Sequence, residues 1–177
     1  MARPIDEFEV AWSALSGSDS SIGWRCIAVS PSGSCPVMAA RRFPNNDEAI
    51  LVGFTSDIAP PKDSLPNSIG FEVSREDPLG DSKTWIALSR KDSGSPEMFS
   101  EMVCDITGAM DSFSGDEEAV LRTMISRIRA WQEFMRNMMR GLSPEAELGL
   151  FGEMTVLGKL VDAGVSPAVA VQGWLGP

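Results

Sequence analysis

Between Gly23 and Arg90 the apolar residues come in five short runs: GWRCIAVS (23–30), CPVMAARR (35–42), EAILVGFT (48–55), SIGFEVSR (68–75) and KTWIALSR (83–90). PSGS, PNND, EDPLGDS and a proline-rich stretch, SDIAPPKDSLPN (56–67), separate them. Short β-branched or alternating runs bounded by Gly, Pro, Asn and Asp predict strands joined by turns, here an antiparallel meander. A short helix is expected before them, over Asp6 to Leu15, ended by SGSDSS. After residue 95 the apolar spacing changes to that of helices. SPEMFSEMVCDITGAM (95–110) opens with an N-cap serine, a proline at the first helical position and a glutamate. A longer helix is expected over 116–140, with acids in its first turn and Gly141 as its stop. Ser143 and Pro144 start another that runs to about Asp162, and Ser166-Pro167 opens one more short helix. The fold class expected is α+β: a β-rich N-terminal domain over 1–112, then a helical segment over 113–177. No internal repeat is present.

On the long helix, Val120, Leu121, Met124, Ile125, Ile128, Trp131, Met135, Met138 and Met139 fall on one broad face, which must pack against the sheet or another helix. Arg122, Arg129 and Arg136 recur every seven residues beside that face, and Arg140 lies on the same side. Such a row can track successive phosphates of a DNA backbone. It can equally be a solvated helix side whose arginine stems cover apolar neighbours, and the residues alone favour that simpler reading.

The following helix, 144–162, has a continuous apolar arc of Ala146, Leu150, Met154, Val156, Leu157, Leu160 and Val161. Glu153 falls inside the arc, between Ala146 and Leu160 in angle, and none of its helical neighbours at three or four residues is a cation. Burying an unpaired carboxylate costs several kcal/mol, so Glu153 is expected to meet a base, a backbone donor, water in a cleft or a metal ion. Gly149 and Gly152 each weaken a helix by roughly 1 kcal/mol relative to alanine, which makes sense if another backbone passes close by. A helix packed tightly on a strand, with Glu153 reaching an arginine of the preceding helix, explains the pattern as well as a functional carboxylate does.

Composition narrows the chemistry. The 177 residues include no histidine and no tyrosine, which excludes Ser-His-Asp and Cys-His mechanisms within the chain. Cys26, Cys35 and Cys104 lack metal-ligand spacing and read as reduced, buried thiols of a cytoplasmic protein. No apolar run approaches the ~18 residues of a membrane span, and no secretory signal opens the chain. The net charge of −10 opposes general nucleic-acid binding, but the charge is uneven. Residues 1–119 carry 9 basic and 20 acidic residues, whereas residues 120–140 carry five arginines and one acid. There is no phosphate loop and no dinucleotide fingerprint: the glycines of GLFGEM lie within a helix, not between strand and helix.

LSPEAELGLFGEMTVLGKLV followed by WLGP resembles a bacterial family of PD-(D/E)XK motif proteins, restriction-endonuclease-like and encoded among phage-defence or restriction genes. The strand TWIALSR and the helices containing EMFSEMVCDI and RIRAWQEFM follow that family's order. The resemblance covers roughly residues 68–177 and, more loosely, the β-rich first half. It implies an αβββαβ catalytic core whose first helix is 144–162, with Glu153 as an accessory carboxylate of a Mg²⁺ site. The aspartate and the E-x-K element of the family follow the W-x-GP segment. No E-x-K occurs among these 177 residues, and Asp162 and Lys159 lie on the polar side of the same helix. The implied reading is the N-terminal part of a DNA endonuclease of a prokaryotic defence system, inactive and without Mg²⁺ when alone. Its partners would be DNA, once the protein is complete, and other defence-system proteins, with no membrane. The alternative is a non-catalytic protein-interaction module of such a defence complex, which the acidity of residues 1–119 favours.

Overall fold

The structure, a computed structural model, describes residues 5–18, 22–30, 35–55, 58, 65–111, 113, 116–140, 144–166 and 169. The expected short helix after Ser166-Pro167, the WLGP segment and the caps at Gly141 and Ser143 lie at least partly outside the described residues, as does the side chain of Arg140. The element order is α1 (Ile5–Leu15), β1 (Gly23–Ser30), β2 (Val37–Phe43), β3 (Asp47–Phe54), β4 (Phe71–Glu76), β5 (Thr84–Arg90), α2 (Pro96–Met110), α3 (Glu117–Arg140) and α4 (Pro144–Asp162). The chain divides into two compact units, Met1–Met135 and Arg136–Pro177.

The first unit is built on a five-stranded open sheet in the order β1-β2-β3-β5-β4, with every pair antiparallel. This is the α+β architecture read from the sequence. The order departs from a simple meander at one place: β5 inserts between β3 and β4. Burial explains it. TWIALSR is buried at five consecutive positions, and β3 is buried at seven of eight, as central strands covered on both faces must be. FEVSRE carries Glu72, Arg75 and Glu76 and takes the edge, where charge is tolerated and discourages edge-to-edge pairing.

One sheet face holds the main core. Ile50, Val52, Phe54, Phe71, Val73, Ile86 and Leu88 meet Phe8 and Trp12 of α1, Phe99, Met102, Val103 and Ile106 of α2, and Val120, Leu121, Met124, Ile125 and Ile128 of α3. The expected apolar face of the long helix is therefore the one that docks on the sheet, as far as Ile128. The opposite sheet face carries a smaller cluster of Ala40, Ala49, Leu51, Trp85 and Ala87, flanked by Trp24, Cys26 and Met38. Gly53 lies against it because an added Cβ would sit 3.0 Å from both Pro36 and the Trp85 ring.

The helix entries follow local chemistry. Ser95 caps α2: the Met98 amide donates to its Oγ at 3.2 Å. Ser95 Oγ donates in turn to Glu97 at 2.6 Å, and this bond holds the Glu97 carboxyl below its usual range. At the start of α3 the Glu117 carboxylate accepts from the amide and the hydroxyl of Thr55, which ties the helix to the end of β3.

None of Cys26, Cys35 and Cys104 is in a disulfide. Burial pushes Cys26 and Cys35 up to about 11, and Glu117 adds to the effect at Cys35. Both stay protonated at pH 8 and are poor nucleophiles there. Iodoacetamide at pH 8 is therefore expected to alkylate the folded protein far more slowly than the urea-unfolded chain, with Cys26 reacting before the more buried Cys35. Equal rates in the two states would show that these thiols are not sheltered.

Candidate functional site

Glu153 sits in the third turn of α4, within the second unit. It is half-buried rather than enclosed. Of the apolar arc expected around it, Val156, Leu160 and Val161 stand 58%, 41% and 40% exposed, and Leu157 is half-buried. The helix forms where the sequence places it, but the described residues do not enclose its apolar side. A Cβ added at Gly149 or Gly152 would meet nothing within 4 Å among the described residues. The close backbone approach expected at these glycines is therefore not made by the described part of this chain. Lys159 and Asp162 are exposed, as expected of the polar side.

Magnesium prefers six oxygen ligands in octahedral array and keeps several of them as water. One carboxylate alone does not make such a site. Among the described residues no group of three or more His, Cys, Asp or Glu could hold a metal ion. Glu153 belongs to no such group among the described residues, and a metal site that used it would be completed by other groups.

One short spelling related to the nuclease motif does occur, at Asp81-Ser82-Lys83. Its geometry is that of a turn. Asp81 Oδ1 accepts from the Lys83 amide at 3.0 Å and from Trp85 Nε1 at 2.9 Å, and so fixes the entry to β5 and the orientation of the Trp85 ring. That carboxylate oxygen is used in holding the turn together.

The arginines of α3 do not behave as one group. Arg122 is exposed and paired with Glu118, one turn earlier, at 2.7 Å. Arg129 and Arg136 are exposed. Arg127 approaches Asp105 of α2 at 3.3 Å. An exposed i,i+4 pair is worth roughly 0.3–0.5 kcal/mol and is easily exchanged, so Arg122 remains able to meet a phosphate. Asp116, just before the helix, and Glu118, in its first turn, are also exposed nearby.

The most tightly organised polar cluster is one that the sequence reading passed over. The β2–β3 hairpin sets Arg41 opposite Glu48 and Arg42 opposite Asp47. On the helix-covered face, Glu48 bridges two arginines: Oε1 lies 2.9 Å from Arg41 and Oε2 lies 2.6 Å from Arg90. Arg41 Nε donates to the Trp12 carbonyl at 2.8 Å, and Nη1 donates to the Asn46 carbonyl. Arg90 Nη1 donates to the carbonyls of Lys91 and Gly94 at 3.2 and 3.0 Å. Trp12 Nε1 donates to the Ala49 carbonyl at 2.8 Å. On the other face, Arg42 pairs with Glu72 and lies 3.7 Å from Asp47. Burial raises the Asp47 carboxyl, and Arg42 pulls it partly back.

A cavity of about 300 Å³ opens above Arg41, Glu48 and Arg90, walled by Trp12, Pro96 and Phe99. Its two guanidiniums spend their donors on Glu48 and on main-chain carbonyls. This corner is a clamp that joins α1, the β2–β3 hairpin, β5 and the entry to α2. The alternation in CPVMAARR and the acids of PNNDEA were its signal: two basic residues facing two acidic ones across a tight turn.

Residues 8–177 match the DUF4420 family, described as "Putative PD-(D/E)XK family member". The chain belongs to this family. Within DUF4420 the match covers both the sheet-based first unit and α4 with Glu153, so the β-rich first half is part of the family's pattern and not an unrelated appendage. No curated protein and no solved structure matches the chain. No helix among the described residues is long and apolar enough to cross a membrane.

Proposed function

We propose that this DUF4420 chain is the N-terminal part of a PD-(D/E)XK restriction-endonuclease-like protein of a prokaryotic DNA-defence system. The observation that carries the reading is the family match over 8–177, which includes a helix with a half-buried carboxylate, Glu153, on a side otherwise apolar. In this reading the exposed side of α4 receives strands that bear the aspartate and the E-x-K element. Glu153 then becomes an accessory carboxylate of the Mg²⁺ site, and Arg122, Arg129, Arg136 and Arg140 provide backbone contacts to DNA. No E-x-K occurs among the 177 residues, so this polypeptide alone is expected not to cut DNA.

The test compares this polypeptide with the product read to the gene's next stop codon, each purified and given plasmid DNA with Mg²⁺. The short chain is expected to leave the DNA intact. The longer product, if it adds an aspartate and an E-x-K on strands, is expected to cleave, and Glu153→Ala to slow cleavage by about a hundredfold or more. Sustained Mg²⁺-dependent cleavage by the short chain, abolished by Glu153→Ala, would sink the claim of inactivity. A gene that stops at Pro177 would favour the second reading, a non-catalytic interaction module, which the acidic surface of the first unit supports.

A further inference from the structure

Between α2 and α3 the first unit has an open notch of about 340 Å³ lined by Asp105, Arg127, Ala130, Trp131 and Phe134. At about 100° per residue, Arg127 and Phe134 project from the flank of α3 away from Arg122 and Arg129. The notch is therefore separate from the arginine stripe. Its floor is fixed in place. Trp131 packs on the core and donates its indole N–H to Asp105 Oδ2 at 3.0 Å. Phe134 stands edge-on to it, with ring centroids 5.6 Å apart and planes at 83°, and is 50% exposed. A half-exposed ring held this way is a preformed apolar contact, because ordering it costs little side-chain entropy on binding.

The surroundings specify charge. Asp105 lines the notch, and Glu101 stands one turn earlier on the same side of α2. Glu101 is exposed. The cation lining the notch, Arg127, already faces Asp105 at 3.3 Å. A nucleic-acid ligand stacking on Phe134 would bring its phosphates against these carboxylates. A cationic protein segment would not. We propose that the notch docks a basic amphipathic helical segment of a partner protein. One apolar side chain of that segment enters against Trp131 and Phe134, and its lysines or arginines lie along Glu101 and Asp105. The proposal stands whether or not the complete protein is a nuclease.

The test uses the full chain and labelled helical peptides that share a leucine face and differ only in the polar face, lysine in one and glutamate in the other. The lysine peptide is expected to give saturable fluorescence anisotropy. Phe134→Ala and Glu101→Lys, both at exposed positions, are each expected to weaken it by about tenfold or more, while Arg122→Ala leaves it unchanged. Lack of binding, equal binding of the glutamate peptide, or indifference to Phe134→Ala would each overturn the proposal. So would displacement of the peptide by a single-stranded oligonucleotide whose own binding requires Phe134, which would make the notch a nucleobase site instead.

Discussion

Glu48→Ala is expected to lower the unfolding free energy by about 3–5 kcal/mol, a large part of the roughly 5–15 kcal/mol that holds a domain together. The reason is asymmetric. Glu48 is 16% exposed and stands between Arg41 and Arg90, whose side chains are 12% and 17% exposed. Removing the shared carboxylate leaves two shielded guanidiniums without the group that bridges them, and Glu97 and Asp47 feel Arg90 only as smaller contributions. Each also fixes main chain: Arg41 holds the Trp12 and Asn46 carbonyls, and Arg90 holds those of Lys91 and Gly94. The loss therefore spreads to the end of α1 and the entry of α2. Urea unfolding followed by tryptophan fluorescence measures it. Glu118→Ala is the comparison, because its pair with Arg122 is 68% and 64% exposed and is expected to cost less than about 0.5 kcal/mol. If the two substitutions cost the same, the clamp is solvated and the account of this corner is wrong.

That clamp shows what could and could not be read along the chain. Its first two members were legible: two basic residues, a tight turn and two acidic ones face each other across a hairpin. The third was not, because Arg90 arrives from β5, and the pairing of β5 with β3 is a long-range event. Nothing local to TWIALSR says which strand it will join. Its continuous burial says only that it will be central, and its central place pushes β4, with its charges, to the edge. Helices were more legible, since the apolar spacing of α3 and the Ser95-Pro96 entry are local signals. Glu118 and Arg122, four apart, also announce their pair.

The region around Glu153 is the opposite case. The projection of α4 draws an apolar arc on one side of the helix but supplies its own assumption, that something covers the arc. Val156, Leu160 and Val161 are at least 40% exposed, and a Cβ at Gly149 or Gly152 would meet nothing within 4 Å among the described residues. Apolar side chains and glycines on one side of a helix signal a partner surface without naming it. The family match extends the pattern over both units but gives no role to an individual side chain. The energetic argument for a buried, compensated carboxylate therefore applies to Glu153 only once that side is covered. This is why its proposed role is tied to additional strands and not to the described residues.

Gly94→Ala is expected to cost about 3 kcal/mol, at the upper end for overpacking, and Gly149→Ala to cost nothing or to stabilise α4 by up to about 1 kcal/mol. A Cβ at Gly94 would sit 2.2 Å from the Gly70 carbonyl oxygen and 3.1 Å from its Cα. Both are backbone atoms, so no side chain can turn aside. The Gly70 carbonyl also accepts from the Lys91 amide at 3.0 Å, and the Gly94 amide donates to the Lys91 carbonyl at 2.8 Å. Relieving the clash must therefore break the turn that leads into the Ser95 cap of α2. The same movement withdraws the Gly94 carbonyl from Arg90, so the strain reaches the clamp. Gly94→Ala and Glu48→Ala are thus expected to be non-additive, the double variant losing less than the sum of the single losses, because each disrupts contacts the other needs. Urea midpoints of the two single variants and the double variant decide it. Strict additivity would mean that the turn at Gly94 and the Arg41–Glu48–Arg90 cluster act independently, despite the hydrogen bond between them.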